Sequence, residues 1–231
     1  MGAACMSRSR TDAAPAPASQ PTTTRPSGII LAGGRSRRMG RDKCALEVGG
    51  RTLIQRVADA LDEVCGEIIL VHAPDREPPE LHSRAPVRHV ADPFEDAGPL
   101  VAIAEGLEAA SSPVAIAVGC DAPQLRPALL RLLAEWAQAG RPLVAPLHEG
   151  VPQWLCAAWR RDALPVLRER IAAGDRAVHD AAEALEAALL PPEAYAHLDP
   201  AGDSFLNVNT PEQLAKARAA VGQSTSRSAP A

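Results

Sequence analysis

A short apolar segment followed by a glycine-rich, strongly basic loop constrains this chain more than any other feature. Residues 28 to 34 read Gly-Ile-Ile-Leu-Ala-Gly-Gly. An apolar run this short, rich in β-branched residues and ended by paired glycines, predicts a buried strand that opens into a tight loop. The next nine residues carry five cations: Arg35, Arg37, Arg38, Arg41 and Lys43. Because glycine backbone N–H groups and clustered cations bind phosphate oxygens, the loop is predicted to hold a polyphosphate.

The loop matches neither of the two commonest phosphate-binding patterns. The Walker pattern places Lys directly after its last glycine and Ser or Thr next, whereas Lys43 lies three residues beyond Gly40 and precedes Cys44. The dinucleotide-binding pattern Gly-x-Gly-x-x-Gly is not supplied by the adjacent Gly33 and Gly34. The plainer interpretation is a solvated basic turn. Five cations on one glycine-rich loop favour anion binding over it.

Composition makes this basic loop a local feature. The chain of 231 residues has a formal net charge of −4 and an aromatic fraction of 3%. Nucleic-acid surfaces are usually basic and rich in stacking aromatics, so we expect no nucleic-acid partner and a small anionic ligand instead. No apolar run approaches the length of a membrane span, so no membrane partner is expected. The five cysteines are odd in number and far apart, which indicates a reducing cytoplasm and neither a disulfide framework nor a zinc site.

Hydrophobic periodicity predicts an α/β fold with a mostly parallel sheet. The first strand, a helix over 52–65 and a buried strand over 67–71 make a βαβ unit with a right-handed crossover. Further strands are predicted at 87–90, 114–118, 143–145 and 154–159, and helices at 100–110, 127–138, 163–173 and 176–189. One or two short strands are expected between Tyr195 and Asn209. A final helix to about Val221 begins at the capping sequence Thr210-Pro211-Glu212-Gln213.

The same pattern predicts one folded domain, 28–221, between two tails. Residues 1–27 are rich in Ala, Pro, Ser and Thr and lack the apolar core of a signal peptide, so we expect a disordered extension. Residues 222–231 have a similar composition and are predicted to be a disordered tail. No internal repeat or further domain boundary is expected.

Two aspartates are predicted to lie at the same edge of the sheet as the basic loop. In an open parallel sheet, ligands bind beyond the carboxyl ends of the strands, near the point where the strand order reverses. Asp121 follows the strand over 114–118, and Asp92 follows the strand over 87–90. A carboxylate beside a polyphosphate is suited to hold Mg²⁺. A turn or N-cap role is the alternative for both, and for Asp92, which precedes Pro93, the residues alone favour it.

These groups constrain the chemistry. The sequence offers cations, backbone donors and a carboxylate for Mg²⁺, with no Ser/His/Asp order, metal cluster or thiol motif. Such a set suits charge neutralisation during phosphoryl or nucleotidyl transfer. The missing Walker pattern argues against nucleotide hydrolysis coupled to motion. Attack by an acceptor on a nucleoside triphosphate is therefore the natural interpretation.

Four motifs in order resemble the molybdenum cofactor guanylyltransferase family. They are Leu31-Ala32-Gly33-Gly34-x-Ser36-x-Arg38-Met39-Gly40-x-Asp42-Lys43, Gly98-Pro99-Leu100, Cys120-Asp121-x-Pro123 and Asn207-Val208-Asn209-Thr210-Pro211-Glu212. The resemblance covers residues 28 to about 221, which would form a nucleotidyltransferase domain. It implies a Rossmann-like three-layer α/β/α nucleotidyltransferase fold. It also implies transfer of GMP from GTP to molybdenum-molybdopterin, with release of pyrophosphate and formation of the guanine dinucleotide form of the cofactor.

The resemblance further implies roles for single residues. Lys43 would contact the phosphates, Asp92 the guanosine, and Asp121 would bind the Mg²⁺ cofactor. Lys43, Asp121 and Arg38 would be the catalytic residues. The nucleotide-binding residues would be Leu31, Ala32, Gly33, Gly34, Lys43, Asp92 and Asp121. Asn207 and Asn209 match the C-terminal motif that faces the acceptor, with turn and capping polarity as the alternative role. One departure is His72, which stands where some family members place a nucleotide-contacting Asn.

Two other functions stay open. Cytidylyltransferases, and transferases that make sugar or alcohol nucleotides, typically read Leu-Ala-Ala-Gly where this chain has Leu31-Ala32-Gly33-Gly34. Glycine at position 33 leaves more room near the base, which favours a purine. The second alternative is a non-catalytic nucleotide-binding partner of molybdenum enzymes, against which the presence of Lys43 and Asp121 argues. The expected partners are GTP and a molybdopterin-type acceptor, with molybdenum enzymes or their chaperones as further candidates.

Overall fold

A mixed sheet with helices on both faces forms the centre of the protein. The computed structural model describes residues 24–33, 43–94 and 97–227. The strands are β1 (Ser27–Leu31), β2 (Glu47–Val48), β3 (Arg51–Thr52), β4 (Glu67–His72), β5 (Val87–Ala91), β6 (Val114–Gly119), β7 (Leu143–His148), β8 (Val151–Pro152), β9 (Cys156–Arg160) and β10 (Ala188–Leu190). The α-helices are α1 (Leu53–Asp62), α2 (Pro99–Ala109), α3 (Pro127–Gln138), α4 (Leu164–Ala172), α5 (Val178–Ala184), α6 (Pro192–Tyr195) and α7 (Pro211–Arg227).

The strand order of the sheet is β10-β7-β9-β6-β1-β4-β5, with β8 paired to the end of β7. Strands β6, β1, β4 and β5 are mutually parallel, whereas β9 runs antiparallel to both of its neighbours. Strand β1 pairs with β4 on one side and with β6 on the other, so the chain reverses its direction across the sheet at β1. Such a reversal opens a crevice beyond the carboxyl ends of the strands, where ligands bind in open α/β sheets.

Alternating side chains of the strands build a core on each face of the sheet, because successive residues of a strand point to opposite sides. Ile29 packs with the buried side chains of α2, α4 and α5, and Ile30 packs with those of α1 and α3. Both isoleucines are fully buried. The predicted Rossmann-like three-layer α/β/α arrangement with a mostly parallel sheet is confirmed.

A third, smaller core fixes the C-terminal part of the chain beside the β2–β3 hairpin. Val48 from the hairpin and Leu53 from α1 pack against Val208, Leu214 and Ala217. Helix α7 begins with the predicted cap, in which Thr210 Oγ1 accepts a hydrogen bond from the backbone N–H of Gln213. This core places the segment before α7 at the carboxyl edge of the sheet.

The predicted helix over 176–189 is wrong in its second half. Helix α5 ends at Ala184, and residues 188–190 form β10, which pairs in parallel with β7. Glu186 has a φ of 50°, in the left-handed region, and its N–H donates to the carbonyl of Glu183. This turn ends the helix and sends an apolar segment to the open edge of the sheet. Sheet pairing therefore overrides the helical pattern of the alanines.

The short strands predicted between Tyr195 and Asn209 are also wrong. The described structure has the end of α6, a 3-10 turn over Asp203–Phe205 and irregular backbone there. Of the apolar residues that suggested a strand, Val208 is buried and Phe205 and Leu206 are half-buried, all by side-chain packing. The Phe205 ring lies 4.5 Å from that of His148, and the Val208 N–H donates to the carbonyl of Asp121 rather than to a neighbouring strand.

The ends of the folded region differ from the predicted boundaries. Strand β1 begins at Ser27, and the Arg25 guanidinium donates to the backbone carbonyls of Asp62 and Val64. Helix α7 continues to Arg227, beyond the predicted end at Val221. The predicted end relied on Gly222, but a glycine only lowers the stability of a helix and does not always end it. Residues 1–23 of the predicted N-terminal extension and 228–231 of the predicted C-terminal tail lie outside the described residues. None of the helices in the described ranges combines the length and apolar character needed to cross a membrane.

Candidate active site

Three parallel strands, β1, β5 and β6, deliver predicted site residues to one edge of the sheet. Leu31 ends β1, and Ala32 and Gly33 follow it. Asp92 follows β5, and Asp121 lies two residues after β6. The Cys120 N–H donates to the carbonyl of Leu31 and joins the ends of the two central strands. The edge predicted from the sequence is therefore the edge that the topology forms.

Lys43 is the point at which three distant parts of the chain meet. It begins a 3-10 turn over Lys43–Ala45. Its Nζ atom lies 2.5 Å from Asp121 Oδ2 and 2.5 Å from Asn209 Oδ1. The side chains of Lys43 and Asp121 are 16% and 19% exposed, so the ion pair is largely shielded from water. Shielding strengthens the interaction of such a pair with further charges.

Backbone contacts hold Asp121 and Asn209 together. The Val208 N–H donates to the Asp121 carbonyl over 2.9 Å, and Asn209 is the next residue. The Asn209 N–H donates to Oε1 of Gln213 in the first turn of α7. The C-terminal motif is thus tied to the backbone of Asp121 through Val208 and to the Lys43 ammonium through the Asn209 side chain. Asn207 is half-buried and makes no side-chain hydrogen bond to another described residue.

Asp92 forms a separate part of the site, next to Gly33. Its carboxyl group is buried, and its Oδ1 atom has no hydrogen-bond partner among the described residues. Burial raises the pKa of Asp92 to about 6, the negative charge of Glu105 adds to this shift, and His72 opposes it. A Cβ atom on Gly33 would collide with Asp92 Oδ2. Glycine at position 33 is therefore needed for the close approach of β1 to this carboxyl group.

His72 lies beside Asp92 at the end of β4. Its carbonyl accepts a hydrogen bond from the Asp92 N–H, and its Nδ1 atom lies 2.9 Å from the carbonyl oxygen of Ala73. The ring meets that of His89 edge-on, with 6.2 Å between the centroids. The residue that departs from the family pattern is thus fixed next to Asp92.

Part of the predicted phosphate loop lies outside the described residues. This part comprises 34–42 and includes the predicted nucleotide-binding Gly34, the predicted catalytic Arg38 and the cations Arg35, Arg37 and Arg41. Their roles stay predictions. The described part of this loop consists of Leu31, Ala32 and Gly33 before the segment and of Lys43 after it.

Several contacts at this edge were not predicted from the sequence. The pairing of Asn209 with Lys43, the approach of Gly33 to Asp92, and an aromatic cluster of Tyr195, His148 and Phe205 all depend on long-range packing. In that cluster the Tyr195 hydroxyl donates to the carbonyl of Leu147 at the end of β7. The cluster therefore fixes the chain between α6 and α7 against the same edge of the sheet.

Comparisons with known proteins identify the family. The model of the MobA-like NTP transferase domain matches residues 28–189. A relative from Chloroflexus aggregans, named probable molybdenum cofactor guanylyltransferase, is 38% identical over 85% of this chain and 95% of its own length. A relative of the same name from Pelotomaculum thermopropionicum is 34% identical over 83% of this chain and 91% of its own.

Solved structures agree with this assignment at the level of the fold. Molybdopterin-guanine dinucleotide biosynthesis protein A from Archaeoglobus fulgidus superposes with a TM-score of 0.71 at 23% identity, covering 85% of this chain and 99% of its own. The 2-C-methyl-D-erythritol 4-phosphate cytidylyltransferase from Thermus thermophilus superposes with a TM-score of 0.67 at 22% identity, covering 86% of this chain and 100% of its own. The resemblance drawn from the four sequence motifs is confirmed: the chain belongs to the MobA-like NTP transferase family.

Proposed function

We propose that this protein transfers GMP from GTP to molybdenum-molybdopterin, releases pyrophosphate and forms the guanine dinucleotide form of the molybdenum cofactor. One observation carries the proposal: Lys43, Asp121 and Asn209 converge at the sheet edge that also holds Gly33 and Asp92. This arrangement puts the Lys43 ammonium and the Asp121 carboxylate at one end of the site, and it puts the buried carboxyl group of Asp92, a hydrogen-bond acceptor, at the other. The curated relatives with the name molybdenum cofactor guanylyltransferase support the choice of reaction.

In the proposed reaction an oxygen of the acceptor attacks the α-phosphorus of GTP. The new oxygen–phosphorus bond forms while the bond from the α-phosphorus to the bridging oxygen breaks, and pyrophosphate leaves with that electron pair. Negative charge grows on the phosphate oxygens and on the leaving group. The Lys43 ammonium, which Asp121 and Asn209 place at this edge before substrate binds, supplies a positive charge for these oxygens.

Asp121 is the residue that we propose as the ligand of Mg²⁺. The described residues contain no group of three side chains that could hold a metal by themselves. A single carboxylate completed by substrate phosphates is a usual Mg²⁺ site, and the hard oxygen donors of Asp121 fit it. When bound, the ion supplies charge neutralisation for the phosphates. Arg38, from the segment outside the described residues, is proposed as a further cation.

Asp92 and Gly33 are proposed to hold the guanosine. An ionised carboxylate accepts hydrogen bonds only, and Asp92 has a buried oxygen without a partner among the described residues. Guanine offers adjacent N–H donors from its ring N1 and its exocyclic amine, whereas cytosine has a ring acceptor beside its amine. Gly33 leaves the space in which Asp92 lies. Leu31 and Ala32 supply the backbone that leads to this contact.

Asn207 and Asn209 are proposed for the acceptor side. Asn209 contacts Lys43, so it links acceptor binding to the position of the ammonium. Asn207 lies two residues before Asn209 and is half-buried. Cytidylyl transfer is the second candidate function, because the fold is shared with a cytidylyltransferase.

The test is pyrophosphate release by the purified protein with Mg²⁺ and molybdenum-molybdopterin, with GTP, CTP and ATP supplied in separate reactions. We expect release with GTP alone. Release with CTP alone would assign the protein to cytidylyl transfer. Absence of release with all three, together with calorimetric binding of GTP, would contradict the proposed reaction and favour a non-catalytic nucleotide-binding partner.

A further inference from the structure

Two buried cysteines flank the ion pair at the centre of the site. Cys44 directly follows Lys43, and Cys120 directly precedes Asp121. Their Sγ atoms lie 3.1 Å apart, although 76 residues separate them in the sequence. Cys44 is 3% exposed and Cys120 is 8% exposed. The two thiols therefore join the start of the 3-10 turn to the end of β6 at the same place as the ion pair does.

We propose that Cys44 and Cys120 form a reversible disulfide bond that holds the active site closed. A disulfide has an S–S distance of about 2.0 Å, so the two sulfur atoms need to approach by about 1 Å. The segments that carry them are already linked by the contact between Lys43 and Asp121. Bond formation therefore needs a local adjustment and no rearrangement of the sheet.

The other two buried cysteines in the described part of the chain are Cys65 and Cys156. Burial raises the pKa of Cys65 to about 12, and it raises the pKa of Cys156 to about 12 as well. A thiol with such a pKa stays protonated and is a poor nucleophile. Neither Sγ atom makes a hydrogen bond to another described residue. Cys65 and Cys156 therefore serve as internal controls for reaction at the pair.

The oxidant that we propose is a small-molecule disulfide such as oxidised glutathione. Cys120, the more exposed of the two, loses its proton and attacks one sulfur atom of the oxidant. The S–S bond of the oxidant breaks, and the released thiolate takes up a proton. Cys44 then loses its proton and attacks the Cys120 sulfur, which releases the second small thiol. The protein loses two electrons and two protons, and both are gained by the oxidant.

The consequence for the site rests on the proposed function. For a triphosphate to bind, Lys43 has to contact phosphate oxygens and Asp121 has to become accessible, so the two side chains have to separate. A covalent bond between the neighbouring residues would keep the two segments together and favour the ion pair over the nucleotide. Oxidation is therefore expected to weaken GTP binding. Reduction of the disulfide is expected to restore it.

Peptide mapping tests the bond without reference to catalysis. The full-length protein is equilibrated with oxidised glutathione, its remaining thiols are blocked with N-ethylmaleimide, and tryptic peptides are identified by mass spectrometry. Cleavage after Lys43 and after Arg88 gives the peptides 44–51 and 89–131, which contain the two cysteines. We expect these peptides to be linked, with Cys65 and Cys156 blocked or reduced. Absence of the linked pair after equilibration with oxidised glutathione would overturn the proposal.

Calorimetric GTP binding before and after oxidation tests the effect on the site. We expect the affinity to fall at least about tenfold on oxidation and to recover with dithiothreitol, since charge-assisted phosphate contacts are lost. Cys44→Ala and Cys120→Ala should bind GTP equally under both conditions, and Cys65→Ala should respond like the wild type. Linked peptides with unchanged GTP affinity would contradict the closing role. If the peptides are linked and oxidation weakens GTP binding, the thiol pair is supported. If the reduced protein then transfers no nucleotide, the proposed reaction alone is rejected.

Discussion

Lys43 Nζ lies 2.5 Å from Asp121 Oδ2, although 78 residues separate the two in the sequence. The contact arises because the strands before them, β1 and β6, are parallel neighbours at the point where the strand order reverses. Their carboxyl ends carry the loops to the same crevice. The cation that we propose for the phosphates and a carboxylate suited to a metal are thus brought into one polar unit, which Asn209 completes.

Replacing Lys43 by Ala is expected to lower kcat/KM for GTP at least about 100-fold, because a positive charge that faces the phosphates is lost. The circular dichroism spectrum should not change, since the side chain lies at the edge of the sheet. Lys216→Ala is the matched control, because Lys216 is exposed on α7. Steady-state pyrophosphate release checks both variants. Unchanged GTP affinity and turnover in Lys43→Ala would contradict the role of this ammonium.

Replacing Asp121 by Ala is expected to keep the fold and to lower nucleotide transfer at least about 1,000-fold, because the proposed metal ligand and a partner of Lys43 are lost together. GTP binding should also lose its dependence on Mg²⁺, which a titration with and without the ion measures. Asp162→Ala is the control, since this carboxylate is 60% exposed and pairs with Arg160 at the surface. Retained turnover in Asp121→Ala would remove the metal assignment.

Adding a methyl group at position 33 tests the contact with Asp92. Gly33→Ala puts a Cβ atom against Asp92 Oδ2, so the carboxyl group has to move away from its present place. We expect GTP affinity to fall about tenfold, the usual range for overpacking a closely packed site. In Gly66→Ala the added atom meets Arg25 Cβ at 3.4 Å, an ordinary contact, and binding should be unchanged. Equal GTP affinities in the two variants would refute the importance of the close contact between Gly33 and Asp92.

Asp92 should make the free energy of unfolding depend on pH in an unusual direction. Burial raises its pKa to about 6, so the folded protein holds this proton at pH values where the unfolded chain has released it. The folded state therefore loses stability as pH rises from about 4 to about 7. Relative to Asp92→Asn, the wild type should lose roughly 3 kcal/mol over this window. Urea unfolding of both proteins across the window measures the difference, and a constant difference would disprove the shifted pKa.

Much of the fold could be predicted from the sequence because its strands are short, apolar and buried on both faces. The segments that became β1, β4 and β6 are of this kind, and α3 was predicted with the bounds 127–138. β10 could not be predicted because Ala188, Leu189 and Leu190 fit a helix equally well. Only the free edge of β7 determines that they form a strand.

The candidate site was predicted in part for a related reason. Lys43, Asp92 and Asp121 stand directly after strands or glycine-rich loops, so local pattern and motif point to them. The contacts that define their chemistry join residues far apart in the chain. The hydrogen bond from Lys43 to Asn209 spans 166 residues, and its formation depends on the core between α7 and the β2–β3 hairpin. No local pattern carries that information.

The position of the transferred label tests the central claim most directly. The protein is incubated with molybdenum-molybdopterin and Mg²⁺, and with GTP labelled either at the α-phosphorus or at the γ-phosphorus. Attack at the α-phosphorus predicts that the α-label enters the pterin product and that the γ-label leaves in pyrophosphate. Transfer of the γ-label to the acceptor, or its release as inorganic phosphate, would contradict nucleotidyl transfer at this site.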